Sequence, residues 1–186
     1  MLKPFNLFLG VICLFPLIIP FSIIAFLIKV TSRGPVLHKS RRVGVNGKVF
    51  LMPKFRTMSV DTPEVATHLL QNPEQFITPL GRFLRKYSLD ELPQIISILK
   101  GEMAFVGPRP ALYNQEDLIK LREENDIHKL LPGITGWAQV NGRDELTIIE
   151  KVEYDEEYLK RASVSFDIYI IWLTIIKVIK RDDILH

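Results

Sequence analysis

The sequence predicts an α+β chain, mostly helical with a small β-hairpin, held monotopically on a membrane by a Pro-broken re-entrant helix and interfacial amphipathic helices. Three observations carry this prediction. A run without charge extends from Pro4 to Ile28 and is interrupted by Pro16 and Pro20; Asn46-Gly47 separates two apolar stretches; and the apolar segment Phe166 to Ile179 ends among Lys177, Lys180 and Arg181. Residues 1–30 form the expected membrane segment and 31–186 a membrane-surface domain, a length sufficient for one buried core.

The uncharged run is 25 residues long, enough to cross a bilayer. No small-x-small cleavage site ends it and Lys29 follows directly, which argues against a signal peptide. A proline inside a helix removes a backbone hydrogen bond and clashes with the carbonyl four residues earlier. Two of them in mid-segment favour a hairpin that enters and leaves on one face, with Ser22 placed to satisfy a freed backbone group. A kinked transmembrane helix is the competing reading. Of the 24 basic side chains nine lie before residue 61 and none of the 21 acidic ones do, leaving 15 against 21 in the remainder. A basic front half directly behind an apolar run points to a membrane surface and an anionic substrate rather than nucleic acid. By the positive-inside rule it also holds the domain on the cytoplasmic side. The single cysteine, Cys13, excludes a disulfide framework and a cysteine metal site.

Thr31-Ser32-Arg33-Gly34-Pro35 ends the membrane helix with turn residues. A short strand at Val36–His38 and another at Val49–Met52 flank the Asn46-Gly47 hairpin signal. His38 has no metal-ligand companions and is expected at the surface. Lys54 and Arg56 alternate along an extended segment and so share one side, either as phosphate contacts or as protective edge-strand cations. Residues 61–78 read as a surface loop with a short helix around Glu64–Leu70.

Ser88-Leu89-Asp90-Glu91-Leu92-Pro93-Gln94 is the centre of the chemistry. Asp90 is expected to cap a helix running to about Leu99, with Pro93 at the third position, where its missing N–H breaks no bond, and Gly101 as the stop. An Asp at a helix start is ordinarily only a cap. Here Arg82, Arg85 and Lys86 precede it and Arg109 follows, so the helix start reads as an anion site that keeps the carboxylate ionised. An ionised carboxylate beside a bound phosphoryl group is a nucleophile for covalent phosphoryl transfer, and Glu91 is placed to hold a divalent metal. Pro108 and Pro110 fix the backbone around Arg109, which suits a guanidinium that must meet phosphate oxygens in a set geometry.

Leu118–Leu130 reads as a charged, solvent-facing helix. Pro132 to Arg143 is a glycine-punctuated loop whose Trp137, Gln139, Asn141 and Arg143 suit ligand contact; neither a P-loop nor a dinucleotide glycine motif occurs. Glu145 to Arg161 is an acidic helix whose Tyr154 and Tyr158 are assigned to packing. Phe166 to Ile179 is an interfacial helix with Tyr169 and Trp172 at headgroup level; Asp167 is read as its cap in preference to a paired buried charge.

Gly34-Pro35-Val36, Lys54-Phe55-Arg56-Thr57-Met58, Leu89-Asp90-Glu91-Leu92-Pro93-Gln94, Val106-Gly107-Pro108-Arg109-Pro110 and Pro132 through Arg143 occur here in one order. In that order they resemble the bacterial sugar transferases, the monotopic phosphoglycosyl transferases acting on polyprenol phosphate. The resemblance implies Mg²⁺-dependent transfer of a sugar 1-phosphate from a UDP-sugar to undecaprenyl phosphate, with release of UMP. Asp90 would be the nucleophile that forms an aspartyl-phosphosugar intermediate, and Glu91 would share the metal with it. Lys54, Arg56, Arg85, Arg109 and Arg143 would contact phosphates, and Trp137, Gln139 and Asn141 would line the nucleotide and sugar pocket. The expected location is the bacterial inner membrane, catalytic domain on the cytoplasmic face, with other glycan-assembly enzymes as neighbours and no nucleic acid. The sequence departs from the family pattern where Phe15 and Ile19, rather than a serine, precede the prolines, and at Glu102 and Ala104. No further multi-span segment is present, so a minimal catalytic unit is expected. A non-catalytic membrane scaffold and a membrane phosphatase or pyrophosphatase using the same aspartate are the alternatives.

Overall fold

The computed structural model describes residues 3–60, 62, 73–143 and 145–180. The helix expected around Glu64–Leu70 lies outside them. Helix α1 spans Lys3–Thr31 and continues through both Pro16 and Pro20. The anticipated break is therefore not an interruption of the helix. The Ser22 hydroxyl donates to the Ile18 carbonyl at 2.8 Å, whereas the carbonyls that lose a partner to proline are those of Ile12 and Pro16. One stripe of α1, made of Asn6, Gly10, Ile24 and Ile28, is buried against the rest of the chain, while Phe8, Phe15, Ile19 and Phe26 are exposed. Asn6 Oδ1 accepts the Phe105 N–H at 3.0 Å near one end. At the other end Ile24 and Ile28 pack with Phe55 and Leu84.

Strands β1 (Leu37–Val43) and β2 (Val49–Phe55) form the expected hairpin, longer than the sequence suggests and in antiparallel register from Leu37 opposite Phe55 to Val43 opposite Val49. Asn46 and Gly47 both take positive φ (53° and 73°), the left-handed geometry that an Asn-Gly turn supplies cheaply. Period-two burial puts Phe50 and Met52 inside, where they meet Ile98 and Met103. Helix α2 (Pro79–Lys86) is capped by Thr78, whose hydroxyl accepts the Gly81 N–H at 2.9 Å. A 3₁₀ turn at Leu89–Gln94 runs directly into α3 (Ile95–Leu99), which ends before Gly101.

Two short strands, β3 (Ala104–Val106) and β4 (Gly133–Thr135), pair in parallel, a feature the sequence reading did not anticipate. Between them lies α4 (Glu116–Glu124), followed by a 3₁₀ turn at Ile127–Lys129 after Asp126, whose φ of 61° stops the helix short of the expected Leu130. Leu118 and Ile127 are buried with Ala111 and Val152, so this segment is amphipathic rather than wholly solvent-facing. The single turn α5 (Trp137–Val140) leads to α6 (Ile148–Arg161), which starts with a Thr147/Glu150 capping box. Helix α7 (Val164–Lys180) buries Phe166 and Ile170 against Val106, Val140 and Tyr158, and exposes Ile168, Trp172, Ile175 and Ile179. Ser163 caps it by accepting the Phe166 N–H at 3.3 Å. Asp167 is instead buried and accepts the Tyr158 hydroxyl at 2.8 Å, which corrects its assignment as the cap. Both Tyr154 and Tyr158 pack: Tyr154 meets the Trp137 ring edge-on, and Tyr158 lies in the core.

Gly133 and Gly136 of the Pro132–Arg143 loop serve the chain's own backbone, together with Gly107. A Cβ on Gly107 would stand 2.2 Å from the Leu131 carbonyl oxygen, and one on Gly136 would stand 2.1 Å from the Gly107 oxygen. The close approach is between β3 and β4, not between loop and ligand. Gly107→Ala is therefore expected to cost about 3 kcal/mol through overpacking against rigid backbone. A marked fall in the thermal unfolding midpoint in detergent checks this; an unchanged midpoint would refute the close-packing account.

Candidate active site

The turn carrying the two adjacent carboxylates begins at Ser88, which has φ 52° and ψ 22° in the left-handed region. Ser88 N–H donates to the Arg85 carbonyl at 3.0 Å, so the chain reverses directly after α2. This places Asp90 second within the turn rather than at the cap position expected from the sequence. Pro93 also lies inside it, at a place that needs no N–H. Asp90 and Glu91 are each only 8% exposed.

Three cations from distant parts of the chain converge on Glu91. Its Oε1 accepts Lys54 Nζ at 2.8 Å from the end of β2 and Arg109 Nη2 at 2.9 Å from the turn after β3. Arg143 Nη2 approaches the same oxygen at 4.0 Å from the loop after α5. Burial alone pushes the Glu91 carboxyl up, but Arg109 and Lys54, helped by Arg143, outweigh it and hold this group well below the usual carboxylate range.

Asp90 is treated oppositely. Among the described residues no side chain donates a hydrogen bond to it. Burial pushes its carboxyl above the ordinary value; Lys54 opposes this, the Glu91 charge reinforces it, and Arg85 and Arg109 oppose it in turn. The sequence expectation of an aspartate kept ionised by a helix start thus meets a larger desolvation cost. Arg85 lies close enough to interact electrostatically with Asp90, and its Nε donates to Thr57 Oγ1 at 2.9 Å. Four cations (Lys54, Arg85, Arg109, Arg143) surround two carboxylates, a surplus of positive charge suited to a polyanion.

The rigidity around Arg109 has sources beyond its two prolines. Arg122 Nη1 donates to the Arg109 carbonyl at 2.8 Å, and Arg42 Nη1 donates to the Pro110 carbonyl at 3.0 Å. Arg122 is itself held by Asp155, with Nε and Nη2 at 3.0 and 2.6 Å from Oδ2. Burial and the neighbouring Arg109 lower Arg42 to about 10, against a smaller raising effect of Glu91. Sequence reasoning missed Arg42, Arg122 and Asp155. A signal was present: Arg122 follows buried Leu118 by four residues and Asp155 follows buried Val152 by three, so both charges sit on the apolar faces of their helices.

Other expected site residues are placed elsewhere. Arg56 is buried and donates to the Ser32 carbonyl and hydroxyl at 3.1 and 2.7 Å, tying the end of α1 to the hairpin. Trp137 donates its indole N–H to Glu157 at 2.7 Å and packs on Phe166. Asn141 donates to the Trp137 carbonyl at 2.8 Å and closes α5. Gln139 alone of that trio lines a cavity of about 300 Å³ that opens beside Glu91 and Arg143. Among the described residues no group of three or more His, Cys, Asp or Glu side chains forms a metal site.

A family model described as bacterial sugar transferase matches residues 1–181. The chain is 46% identical over 162 residues to the UDP-glucose:undecaprenyl-phosphate glucose-1-phosphate transferase of Escherichia coli, covering 83% of this chain and 35% of that protein. It is 41% identical over 175 residues to the sugar transferase EpsL of Bacillus subtilis, covering 93% and 83%. The undecaprenyl-phosphate galactose phosphotransferase of Salmonella typhimurium is 37% identical over 165 residues, covering 80% and 34%. The chain thus spans about a third of the Escherichia coli and Salmonella proteins and most of EpsL.

The two carboxylates predict opposite behaviour on substitution. A folded Asp90 pKa above the unfolded value of about 3.9 makes the charged form a cost to folding. That cost is absent below the unfolded value and complete above the folded one. Asp90→Asn should therefore unfold at an equal or higher temperature than wild type at neutral pH, with the difference closing as the pH falls. Glu91→Gln should be destabilised by about 3 kcal/mol at neutral pH, because it leaves cations buried without a counter-charge. Calorimetric melts at several pH values check both; a less stable Asp90→Asn at neutral pH would contradict the desolvation account.

Proposed function

The chain belongs to the bacterial sugar transferase family, and from that membership we propose that it moves a sugar 1-phosphate from a UDP-sugar to undecaprenyl phosphate, with Asp90 as nucleophile. The observation that carries this reading is the contrast between the adjacent carboxylates. Glu91 is neutralised by Lys54 and Arg109, while Asp90 is desolvated and takes no hydrogen bond from the described side chains. A carboxylate so placed gains nucleophilicity when ionised, because nothing has to be stripped from it before attack.

In the first half an Asp90 carboxylate oxygen attacks the sugar-proximal phosphorus of the UDP-sugar. The bond from that phosphorus to the bridging oxygen breaks, and UMP leaves with the electron pair. In the second half a phosphate oxygen of the lipid attacks the same phosphorus of the aspartyl-phosphosugar and expels the Asp90 carboxylate. Lys54, Arg85, Arg109 and Arg143 bind the phosphates and offset the charge that gathers on the leaving and attacking oxygens. Arg122 and Arg42 bond the backbone carbonyls of the Arg109 turn, holding its guanidinium in place.

Mg²⁺ fits this pair of carboxylates, since the ion takes one or two carboxylates with substrate phosphates completing its shell. Both hydrogen bonds to Glu91 fall on Oε1, so Oε2 and one Asp90 oxygen would hold the ion, leaving the other Asp90 oxygen for attack. Bound there, the ion would supply countercharge to the diphosphate.

The domain works at the cytoplasmic face of the bacterial inner membrane, with both ends of α1 on that face. Support comes from the buried stripe, which packs on the domain from Asn6 to Ile28. A straight crossing would pull one end of that stripe away from its partners. An epitope placed before Met1 and one placed after His186 should both be cleaved by protease in inside-out vesicles and both be protected in right-side-out ones. Opposite behaviour of the two ends would exclude a helix that returns to its own side.

UMP release in lipid nanodiscs, measured against a panel of UDP-sugars with and without undecaprenyl phosphate and Mg²⁺, tests the reaction. Wild type should release UMP and label the lipid with phosphosugar, and Asp90→Asn should do neither although folded. Free sugar phosphate as the product would assign the site to a phosphatase or pyrophosphatase. Folded wild type that is silent across the panel, and unlabelled by phosphosugar, would leave a scaffold role.

A further inference from the structure

The cavity beside Glu91 and Arg143 is bounded by α1 and α7, the two helices with the largest exposed apolar surfaces. Cys13 and Leu17 enter it from α1, and Thr174, Lys177 and Val178 from α7. Its remaining wall is mostly apolar, with Leu92, Ile95, Phe105 and Ile134 from the core side. Several polar groups in the wall are already committed. The hydroxyls of Thr135 and Thr174 bond each other at 2.7 Å, and Gln139 Nε2 donates to the Ile134 carbonyl at 2.8 Å. Gln139 Oε1 is buried without a partner. At about 300 Å³ the space matches the small end of ligand pockets.

An occupant of this cavity meets apolar walls along most of its length and a guanidinium, Arg143, where the cavity joins the carboxylate pair. That combination suits an amphiphile with an anionic head. Resting on the transferase reading above, we propose that this cavity holds the phosphate-proximal isoprenyl units of the lipid acceptor, entering between α1 and α7, with the lipid phosphate directed to Arg143. A ribose or hexose filling the space would have its polar partners only in Ser88, Glu91, Gln139, Arg143 and Lys177, and would bring its other hydroxyls against Leu17, Ile95, Phe105 and Val178. The lipid chain brings none. The exposed side chains of α1 (Phe15, Ile19) and α7 (Trp172, Ile175) then keep the remainder of the chain in the bilayer.

Cys13 is the only cysteine in the sequence and lines this cavity, so the native protein carries its own reporter. Alkylation by a small maleimide is followed by mass spectrometry on the full chain in phosphatidylethanolamine nanodiscs. Undecaprenyl phosphate should slow Cys13 modification at least about tenfold, whereas inorganic phosphate and UMP should leave the rate unchanged. Protection by UMP would assign the cavity to the nucleotide and overturn the proposal. So would a thiol that reacts equally with and without the lipid, or one that never reacts, since a space open to an isoprenyl chain admits a small reagent. In a second arm, Leu17→Trp fills the space from α1. Its acceptor-step rate should fall relative to its donor-step rate at least about tenfold, by a rise in the KM for lipid. Ile23→Trp, at an exposed position of α1 outside the cavity lining, is the control. A Leu17→Trp protein with the wild-type ratio and KM would also overturn the proposal. Wild-type protein that releases no UMP would instead fail the transferase reading, so the two failures are told apart.

Discussion

The buried Glu91 carboxylate is the contact on which the other parts of the site depend. A carboxylate removed from water is tolerated only when its charge is met and its lone pairs are used. Here the end of β2 supplies Lys54, the turn after β3 supplies Arg109, and the loop after α5 brings Arg143 within 4.0 Å. Three segments far apart in sequence are thereby fixed relative to the turn that carries Asp90. The same cations create the field in which a second carboxylate, taking no hydrogen bond from the described side chains, can exist next door. Glu91 absorbs the hydrogen bonds, and Asp90 is left desolvated and available.

Support for that arrangement extends well beyond it. Arg109 reaches Glu91 from a turn whose carbonyls are gripped by Arg122 and Arg42, and Arg122 is set by Asp155 on α6. A second buried pair, Tyr158 and Asp167, ties α6 to α7, and Tyr158 also donates to the Val106 carbonyl at 3.3 Å. The parallel pair β3–β4 lies between these contacts, and its glycines let the two backbones meet. The long helices are thus coupled to the carboxylate turn through polar contacts whose geometry is fixed, rather than through apolar packing alone.

The N-terminal helix is part of this body. Ile24 and Ile28 share a core with Phe55 and Leu84, Arg56 is spent on Ser32, and Asn6 satisfies a backbone N–H of β3. An apolar helix with one polar residue buried against the domain and an exposed face of Phe8, Phe15, Ile19 and Phe26 is amphipathic in an unusual sense. Its two faces distinguish protein from solvent or lipid, not apolar from polar. The absence of charge that marked it as a membrane segment could not show which of its faces packs on the domain.

Local chemistry determined much of this protein from sequence alone. Asn46-Gly47 forms its hairpin turn because both residues tolerate positive φ at low cost. The uncharged run becomes a long helix, the apolar segment near the C-terminus becomes α7, and the Asp-Glu pair meets Lys54, Arg85, Arg109 and Arg143, since two adjacent buried carboxylates need countercharge. Tertiary structure alone decided the rest. Which of two adjacent carboxylates takes the cations' hydrogen bonds depends on side chains up to 52 positions away, between Glu91 and Arg143. Arg56 and Lys54 look equivalent in sequence, yet one bonds the helix end through Nη2 and the other bonds Glu91. Trp137 is turned to packing by its indole bond to Glu157 and its contact with Phe166, and Asn141 to closing α5 by its bond to the Trp137 carbonyl. Spacing along a chain fixes which residues share a face of one element. It does not fix which of those faces meet, and the placement of a charge is settled only when they do.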